Sequence, residues 1–329
     1  MRDVPDAAGG AGPLVSVILP VYNGEQDVER AIQSIQAQTY QRWELLIRDD
    51  GSRDGTLAVC RALAMHDGRI TVEANERNLG LAATMNRLVR SARGELIAIQ
   101  EHDDVSDPQR LEWEVDAFAR EPEVGVVSGI AAWVDRTGRV LGHFPGMLKR
   151  GEQFPQSHRD MVRFLYVKQS KVVNAACMFR RTVVEGQDAP FDERARMSVD
   201  WQFFVRAAHR FRILGIPRVL LYATRDIAHQ SLSRNRDLRF VEARRCLRVL
   251  YRAYRADPNS PIDFRLYRAG MSTELVIEGR MLGGMRGAIR LFGAIACDAS
   301  NRRAWQSLRD TARRGVARMT NRRRRVPSA

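Results

Sequence analysis

The sequence predicts an α/β protein whose open, mostly parallel sheet is flanked by helices and followed by a basic helical region. Three observations support this prediction. Short apolar runs rich in β-branched residues alternate with segments of helical periodicity. Three of the apolar runs end in polar or acidic clusters, as expected where parallel strands meet one rim of a sheet. Beyond residue 235 the pattern becomes helical and rich in Arg.

The first strand is predicted at Val15–Leu19, a continuous apolar run typical of a strand buried on both faces, which ends at Pro20. Apolar runs of the same kind predict further strands at 43–47, 70–73, 95–100, 124–134, 172–180 and 218–223. Apolar residues at helical spacing predict helices at 27–38, 56–65, 81–92, 108–120 and 199–208. The polar, Pro-containing stretch at 149–157 is predicted to be a loop.

The net charge of +14 is concentrated in the C-terminal third. Residues 231–329 hold 23 Arg and 8 Asp or Glu, a net charge of +15, whereas the rest of the chain carries −1. Amphipathic Arg-rich helices are predicted at 239–254, 285–295 and 305–319. Such helices fit an anionic membrane surface, and they fit equally well an appendage that packs on the first domain or on a second subunit. Nucleic acid is not an expected partner, because no recognised binding module accompanies the arginines.

Several protein classes are disfavoured by the sequence. It contains no run of about 18 apolar residues that would span a bilayer. The Gly- and Ala-rich start has no apolar segment of the kind that a secretory signal needs. Four widely spaced cysteines form neither a zinc motif nor a disulfide framework and suit a reducing compartment, so a cytoplasmic location is expected. Neither a GxGxxG nor a Walker-type phosphate loop is present.

Polar clusters follow three of the predicted strands, at 20–23, 49–52 and 101–104. The second and third contain adjacent carboxylates, which repel one another when they share the rim of a sheet. A cation or the polar groups of a ligand relieve that repulsion. The sequence therefore predicts a binding site at this rim, for a cation or for the polar groups of a ligand.

The ordered clusters resemble the family-2 glycosyltransferases, which have the Rossmann-like GT-A fold. The resemblance covers roughly residues 14–235. It rests on four segments: VSVILPVYNGEQDVERAIQSIQAQTYQRWELLIRDDGSRDGT (Val15–Thr56), NLGLAATMN (Asn78–Asn86), GELIAIQEHDDVSDPQRLE (Gly94–Glu112) and SVDWQFFVR (Ser198–Arg206). It implies a GT-A catalytic domain, which we assign to 1–235, and the sequence pattern predicts a helical Arg-rich region at 236–329.

The resemblance also implies a reaction. A sugar moves from a nucleotide diphosphate donor, expected to be a UDP-sugar, to an acceptor hydroxyl with inversion at the anomeric carbon. A divalent metal, Mn²⁺ or Mg²⁺, is the expected cofactor. Cell-surface polysaccharide or glycan synthesis is the expected setting, with a glycan or a lipid-linked acceptor. A peripheral contact with the inner face of the membrane would suit such an acceptor.

Four candidate donor-binding residues follow the first two strands. The resemblance places Pro20, Tyr22 and Glu25 around the nucleobase and ribose, although an ordinary strand-to-helix turn explains the same residues. It also implies that Asp50 accepts a hydrogen bond from the base, commonly from N3–H of uracil. Capping of the next helix is the alternative role of Asp50.

The next two clusters are expected to meet the diphosphate and the metal. Backbone N–H groups at Asn78 and Gly80 open a helix and fit either a diphosphate or a plain helix cap. Glu101 and Asp103 stand where the family has Asp-x-Asp, so Asp103 is the expected metal ligand and Glu101 the expected donor-binding residue. His102 between them is expected to pack rather than to bind metal.

Asp200 matches the general base of the family. Val199 replaces the Glu that usually precedes it, and Trp201 is expected to form a wall for the acceptor. Capping of its own helix is the alternative role of Asp200. The resemblance also suggests His229, and a basic residue such as Arg225, near the metal or the phosphates.

Two rival functions remain compatible with the sequence. A nucleotidyltransferase also uses carboxylates at a sheet edge to hold a metal, but it releases pyrophosphate rather than a nucleoside diphosphate. A non-catalytic family member that binds a nucleotide or a membrane is the second rival. The departures at Glu101 and Val199 keep that second rival open.

Overall fold

The computed structural model describes residues 12–168, 172–224 and 236–323. Within these residues the chain forms two compact units. The first holds residues 12–161 and 172–224, and the second holds residues 162–168 and 236–323. The second unit thus includes residues 162–168, which the sequence pattern assigned to the first domain.

In the described part of the first unit, nine strands form one sheet. They are β1 (Val15–Val21), β2 (Trp43–Asp49), β3 (Ile70–Ala74), β4 (Leu96–Ile99), β5 (Asp104–Ser106), β6 (Val124–Val134), β7 (Val140–Phe144), β8 (Cys177–Arg180) and β9 (Arg212–Thr224). Their order is β3-β2-β1-β4-β8-β6-β9-β5, with β7 paired to β6. β1 pairs in parallel with β2 and β4, and β2 pairs in parallel with β3. The parallel arrangement predicted for the sheet therefore holds for its first four strands.

The second half of the sheet is mixed. β8 runs antiparallel to β4 and β6, and β5 runs antiparallel to β9, whereas β6 and β9 are parallel. β5 and β7 are absent from the sequence prediction, because β5 has only three residues and the apolar run of β7 is interrupted by Gly142 and His143. β9 begins at Arg212 rather than at the predicted residue 218.

Helices flank the sheet, as the sequence predicts. The predicted ones are α1 (Val28–Gln36), α2 (Thr56–Ala64), α3 (Leu81–Ser91), α4 (Arg110–Arg120) and α7 (Val199–Ala208). The sequence analysis did not predict α5 (Gly146–Lys149) or α6 (His158–Lys168), and residues 162–168 of α6 belong to the second unit. All seven residues of β1 are buried, which explains the continuous apolar run in its sequence. Leu19, Ile32 and Ile47 lie in one core cluster between the sheet and the helices.

The second unit contains the helices α8 (Arg236–Tyr254), α9 (Phe264–Leu282), α10 (Gly284–Cys297) and α11 (Arg302–Arg323). The helical C-terminal region predicted from the sequence is therefore confirmed. Val276, Leu291 and Ala304 form a small core where α9, α10 and α11 meet. Among the helices that the structure describes, none combines the length and the hydropathy that a transmembrane span requires.

Candidate active site

The candidate site lies at the carboxyl ends of β1, β2 and β4. The strand order reverses direction at the β1–β4 pair, because β2 and β3 lie on one side of β1 and β4 lies on the other. In open α/β sheets, ligands bind in the crevice outside the strand ends at such a switch point. The three polar clusters of the sequence are thereby brought to one rim, as predicted.

The loop after β1 is tied to the loop after β2. The backbone N–H of Asn23 donates to Ser52 Oγ at 2.9 Å, and the N–H of Gly24 donates to Thr56 Oγ1 at 2.8 Å. In return, the N–H of Gly55 donates to the Glu25 carboxylate at 3.0 Å. Glu25, predicted to bind donor, is thus already engaged in holding the second loop.

The same loop also contacts the third cluster. A Cβ added at Gly24 would lie 2.4 Å from Cδ2 of His102, so only glycine allows the imidazole to pack this closely. His102 therefore packs against the first loop, as expected from the sequence. The loop after β1 therefore contacts both the loop after β2 and the loop after β4.

Asp50 is buried and accepts three hydrogen bonds. Its Oδ1 accepts from Asn75 Nδ2 and from the Leu79 N–H, both at 2.8 Å, and its Oδ2 accepts from the Gly80 N–H at 2.8 Å. A carboxylate at the start of α3 suits the helix dipole and satisfies its free N–H groups. The N–H groups of Leu79 and Gly80 therefore serve Asp50 in this structure, and a diphosphate role at this helix start stays a prediction that rests on Asn78.

Asp50→Asn is expected to destabilise the first unit by about 1–3 kcal/mol, because an amide nitrogen would face a backbone N–H donor in a buried site. Unfolding by heat or urea measures this loss. Asp116→Asn, on the exposed face of α4, removes the same charge and should leave the stability unchanged. Equal stabilities of the two variants would contradict the anchoring role of Asp50.

A cavity of about 410 Å³ opens beside these loops. Its lining includes Tyr22, as predicted, and Asn78. It also includes Asp49, Arg53 and Arg77, which the sequence analysis did not select. Asp49 is the last residue of β2 and stands next to Asp50 in the second polar cluster. Its place at the strand end is the signal by which Asp49 could have been found.

Gly51 shapes the wall of this cavity. It has a positive φ of 72°, and a Cβ there would lie 2.7 Å from the carbonyl carbon of Arg77. Any other residue would be strained and would push the Arg77–Asn78 backbone away. The glycine therefore brings two cavity-lining segments together.

An acidic cluster stands at the end of β4. Carboxylate oxygens of Glu101, Asp103 and Asp104 lie within 4.8 Å of one another. Glu101 Oε1 accepts a hydrogen bond from Asn174 Nδ2 at 3.0 Å, while the buried Asn174 Oδ1 has no hydrogen-bond partner. Three carboxylates beside an unpaired amide oxygen form the all-oxygen donor set that Mg²⁺ and Mn²⁺ favour. The residues present therefore fit a divalent cation, and Asp104 and Asn174 extend the set predicted from the sequence.

A buried network holds the backbone of this cluster. Gln100 Nε2 donates to the carbonyl oxygens of Glu101 and Asp104 at 2.9 and 2.8 Å. Gln100 Oε1 accepts from Arg110, whose guanidinium also reaches Glu114 at 3.2 Å. Burial raises the pKa of Glu114 to about 7, against the opposing effect of Arg110. The fully buried Arg110 thus holds the backbone of the acidic cluster in place through Gln100.

Asp200 lies in the first turn of α7. The preceding Ser198 has a positive φ of 58°, a conformation uncommon outside glycine that tends to occur at functional sites. Burial, and then Glu114, raise the pKa of the Cys177 thiol, and Asp200 adds to this rise. The Asp200 carboxylate therefore acts electrostatically on Cys177, the first residue of β8.

Aromatic packing fixes α7. The ring of Phe203 lies 5.1 Å from that of Phe179 and 4.8 Å from that of Phe191. Trp201 is also buried, with 2% of its surface exposed. The expected role of Trp201 as an acceptor wall is therefore replaced by a packing role in the interior.

Two further candidates, Arg225 and His229, lie outside the described residues. The described chain reaches Thr224 at the end of β9, where Ala223 pairs with Asp104.

Comparison with known proteins agrees with this geometry. The sequence matches the family described as Glycosyl transferase family 2 over residues 16–186, more than half of the chain. One curated relative is the UDP-Glc:alpha-D-GlcNAc-diphosphoundecaprenol beta-1,3-glucosyltransferase WfgD of Escherichia coli. It is 38% identical over 107 residues, which are 32% of this chain and 42% of WfgD. The chain spans about half the length of the curated relatives it matches.

Two solved structures share the fold. The 1–349 segment of S. aureus TarS in complex with UDP-GlcNAc superposes with a TM-score of 0.67 at 20% identity, over 90% of this chain and 88% of that segment. The mannosyltransferase PcManGT from Pyrobaculum calidifontis, in complex with GDP-Man and Mn²⁺, gives a TM-score of 0.55 at 21% identity, over 91% and 85% of the two chains. The GT-A fold implied by the sequence is thus confirmed, and the chain belongs to the family-2 glycosyltransferases.

Proposed function

We propose that this chain transfers a sugar from a nucleotide diphosphate donor, a UDP-sugar, to an acceptor hydroxyl with inversion of the anomeric carbon. One observation carries the proposal: a cavity and a carboxylate cluster open on the same rim, joined by the loop that contains Gly24. A cavity of about 410 Å³ suits a nucleoside, since ligand sites measure roughly 300–1,000 Å³. A cation site next to it suits the diphosphate.

The cavity is the proposed nucleoside site. Tyr22 lines it with an exposed ring on which a base can stack. Asp49, whose carboxylate also accepts hydrogen bonds from the N–H and the hydroxyl of Ser52, is the proposed acceptor for a ring N–H. The two arginines of the lining, Arg53 and Arg77, offer positive charge to the phosphates. Asp50, expected from the sequence to bind the base, instead holds the Asn75 side chain and the start of α3, so the proposed base contact moves to Asp49. The UDP-GlcNAc complex of TarS and the UDP-Glc donor in the name of WfgD favour uridine.

The acidic cluster is the proposed metal site. Asp103 and Asp104, with Glu101 and the amide oxygen of Asn174, would hold Mn²⁺ or Mg²⁺. When bound, the cation neutralises charge that develops on the departing diphosphate. His229 stays a proposed ligand, since the described chain reaches Thr224 next to this cluster. The Mn²⁺ in the PcManGT complex supports a divalent cation.

The proposed base is Asp200, which removes the proton of the acceptor hydroxyl as the new bond forms. A glycan or a lipid-linked sugar is the proposed acceptor, in cell-surface polysaccharide or glycan synthesis. The name of WfgD, a transferase acting on a diphosphoundecaprenol-linked sugar, supports a lipid-linked acceptor. A cytoplasmic location with a peripheral contact at the inner face of the membrane, made by the Arg-rich C-terminal helices, completes the proposal.

A panel of nucleotide-sugars, scored for binding and hydrolysis with and without Mn²⁺, tests this function. We expect a UDP-sugar to bind best and to yield UDP. Release of pyrophosphate would instead identify a nucleotidyltransferase. Intact donors after long incubation with a broad set of acceptors would identify a non-catalytic family member.

A further inference from the structure

The helix α10 has two apolar faces. Gly287, Leu291 and Ala294 are buried, and their spacing of four and three residues places them on one side of the helix. A Cβ added at Gly287 would lie 2.4 Å from the carbonyl oxygen of Gly279, so α9 and α10 pack backbone against backbone on this side. This face is the one that the fold of the second unit uses.

The second apolar face points to solvent. Met285, Ile289 and Phe292 repeat the same spacing and are 82%, 61% and 61% exposed. They precede the buried set by two residues, a rotation of about 200° on an α-helix, so they lie opposite to it. Leu282, at the end of α9, adds a further exposed apolar side chain at 45%. We name Met285, Ile289 and Phe292 the outer stripe.

Large apolar side chains grouped on an exposed helix face mark an interaction site. Because the packing of α9, α10 and α11 already covers the inner face, the outer stripe contributes nothing to the core of this unit. Its exposure costs free energy of hydration unless a partner covers it.

Arginines border the outer stripe. Arg280 and Arg286 are exposed near its N-terminal end. Arg290 lies beside Ile289 and contacts the largely buried Glu278 at 3.1 Å. Asp298 follows the C-terminal end of α10. The surrounding region 231–329 has a net charge of +15, so its field attracts an anionic surface.

These charges distinguish two partners for the outer stripe, a second copy of the chain and an anionic bilayer. A symmetric pair of copies would set the same arginines against each other, which like-charge repulsion opposes. An anionic bilayer satisfies both features, since its headgroups attract Arg and its acyl boundary accepts Met, Ile and Phe.

We propose that α10 lies in the interface of an anionic lipid bilayer, with Met285, Ile289 and Phe292 inserted below the headgroups and Arg280 and Arg286 at headgroup level. This inference rests on the membrane contact proposed above and deepens it, because an inserted stripe adds a salt-resistant component to an electrostatic contact. Electrostatic attraction between exposed charges fades over roughly 8 Å at physiological salt, whereas burial of apolar area does not depend on that screening.

The test uses the full chain and vesicles of phosphatidylcholine with phosphatidylglycerol. The variant Met285→Gln, Ile289→Gln, Phe292→Gln is compared with a matched control, Met65→Gln, Val140→Gln, Leu141→Gln, which alters three exposed apolar residues of the first unit. We expect the outer-stripe variant to bind vesicles at least about tenfold more weakly in sedimentation, and the control to bind like wild type. At high salt, wild type should retain binding that the outer-stripe variant lacks.

Three results would overturn the inference. These are equal binding by the two variants, loss of all wild-type binding at high salt, and a lipid-free dimer in light scattering that the outer-stripe variant abolishes. The last result would assign the stripe to a second copy. Donor hydrolysis without vesicles should be the same in wild type and both variants. If none of the three proteins hydrolyses a donor, the proposed reaction is contradicted. The vesicle-binding experiment still tests the membrane inference in that case.

Discussion

Asp103→Asn is expected to abolish sugar transfer while the protein stays folded. Asp103 contributes one of three carboxylates whose oxygens lie within 4.8 Å of one another, and replacing it by an amide removes one negative charge from a site that suits a cation. A cation that neutralises charge on a departing diphosphate contributes several kcal/mol, so we expect kcat/KM to fall by about a hundredfold or more. Turnover of the best nucleotide-sugar across a Mn²⁺ titration measures the effect.

A matched control lies nearby in the chain, on the other side of β5. Asp107→Asn removes the same charge four residues downstream, where the Asp107 carboxylate accepts a hydrogen bond from the Gln109 N–H at 3.0 Å. We expect Asp107→Asn to keep its Mn²⁺ dependence and most of its activity. Wild-type turnover that survives EDTA unchanged would rule out the metal assignment.

The first four strands of the fold could be predicted because the physics that places them is local. β1 is buried on both faces and therefore reads as an unbroken apolar run. The polar clusters at 49–52 and 101–104 follow such runs, so their meeting at one rim follows from the parallel arrangement. The start of α7 at Val199 was also visible, because Asp200 stands where a helix begins.

Features that depend on tertiary contacts could not be predicted. Asn174 lies far along the chain from Glu101, and its side chain meets that carboxylate only because β8 pairs with β4. Trp201 was expected to contact the acceptor, but its side chain is buried, and helical periodicity alone could not predict that burial. The engagement of Asp50 with Leu79 and Gly80 likewise depends on how two loops pack.

The outer stripe could not be recognised from the predicted Arg-rich helix at 285–295. The apolar residues of 285–295 fit a single amphipathic helix in the sequence, yet the structure divides them between an inner and an outer face of α10. Only the packing of α9 against Gly287 shows which face is the inner one. The sequence therefore showed the basic charge, and the structure added the outer stripe.

Asp200→Asn is expected to lower kcat by two orders of magnitude or more while donor binding stays near that of wild type. An alcohol is a poor nucleophile at neutral pH, and removal of its proton in the transition state contributes about 10²–10⁴-fold. Inversion requires the base and the departing diphosphate on opposite faces of the sugar. Asp103, which follows β4, is proposed to bind the metal on the side of the diphosphate. Asp200, the proposed base, lies on α7, a separate segment that is held by packing of Phe203. Rapid-quench kinetics and donor titration separate the two quantities.

The substitution separates chemistry from folding because Asn has nearly the size of Asp and the aromatic contacts of α7 do not involve residue 200. Asp188→Asn, at an exposed position before the same helix, is the matched control and should keep wild-type kcat. If Asp200 only caps α7, its loss would lower the melting temperature and leave kcat per folded molecule intact. Wild-type kcat in Asp200→Asn, or a product that retains the anomeric configuration of the donor, would exclude Asp200 as the base, since a single displacement with a carboxylate base allows neither result.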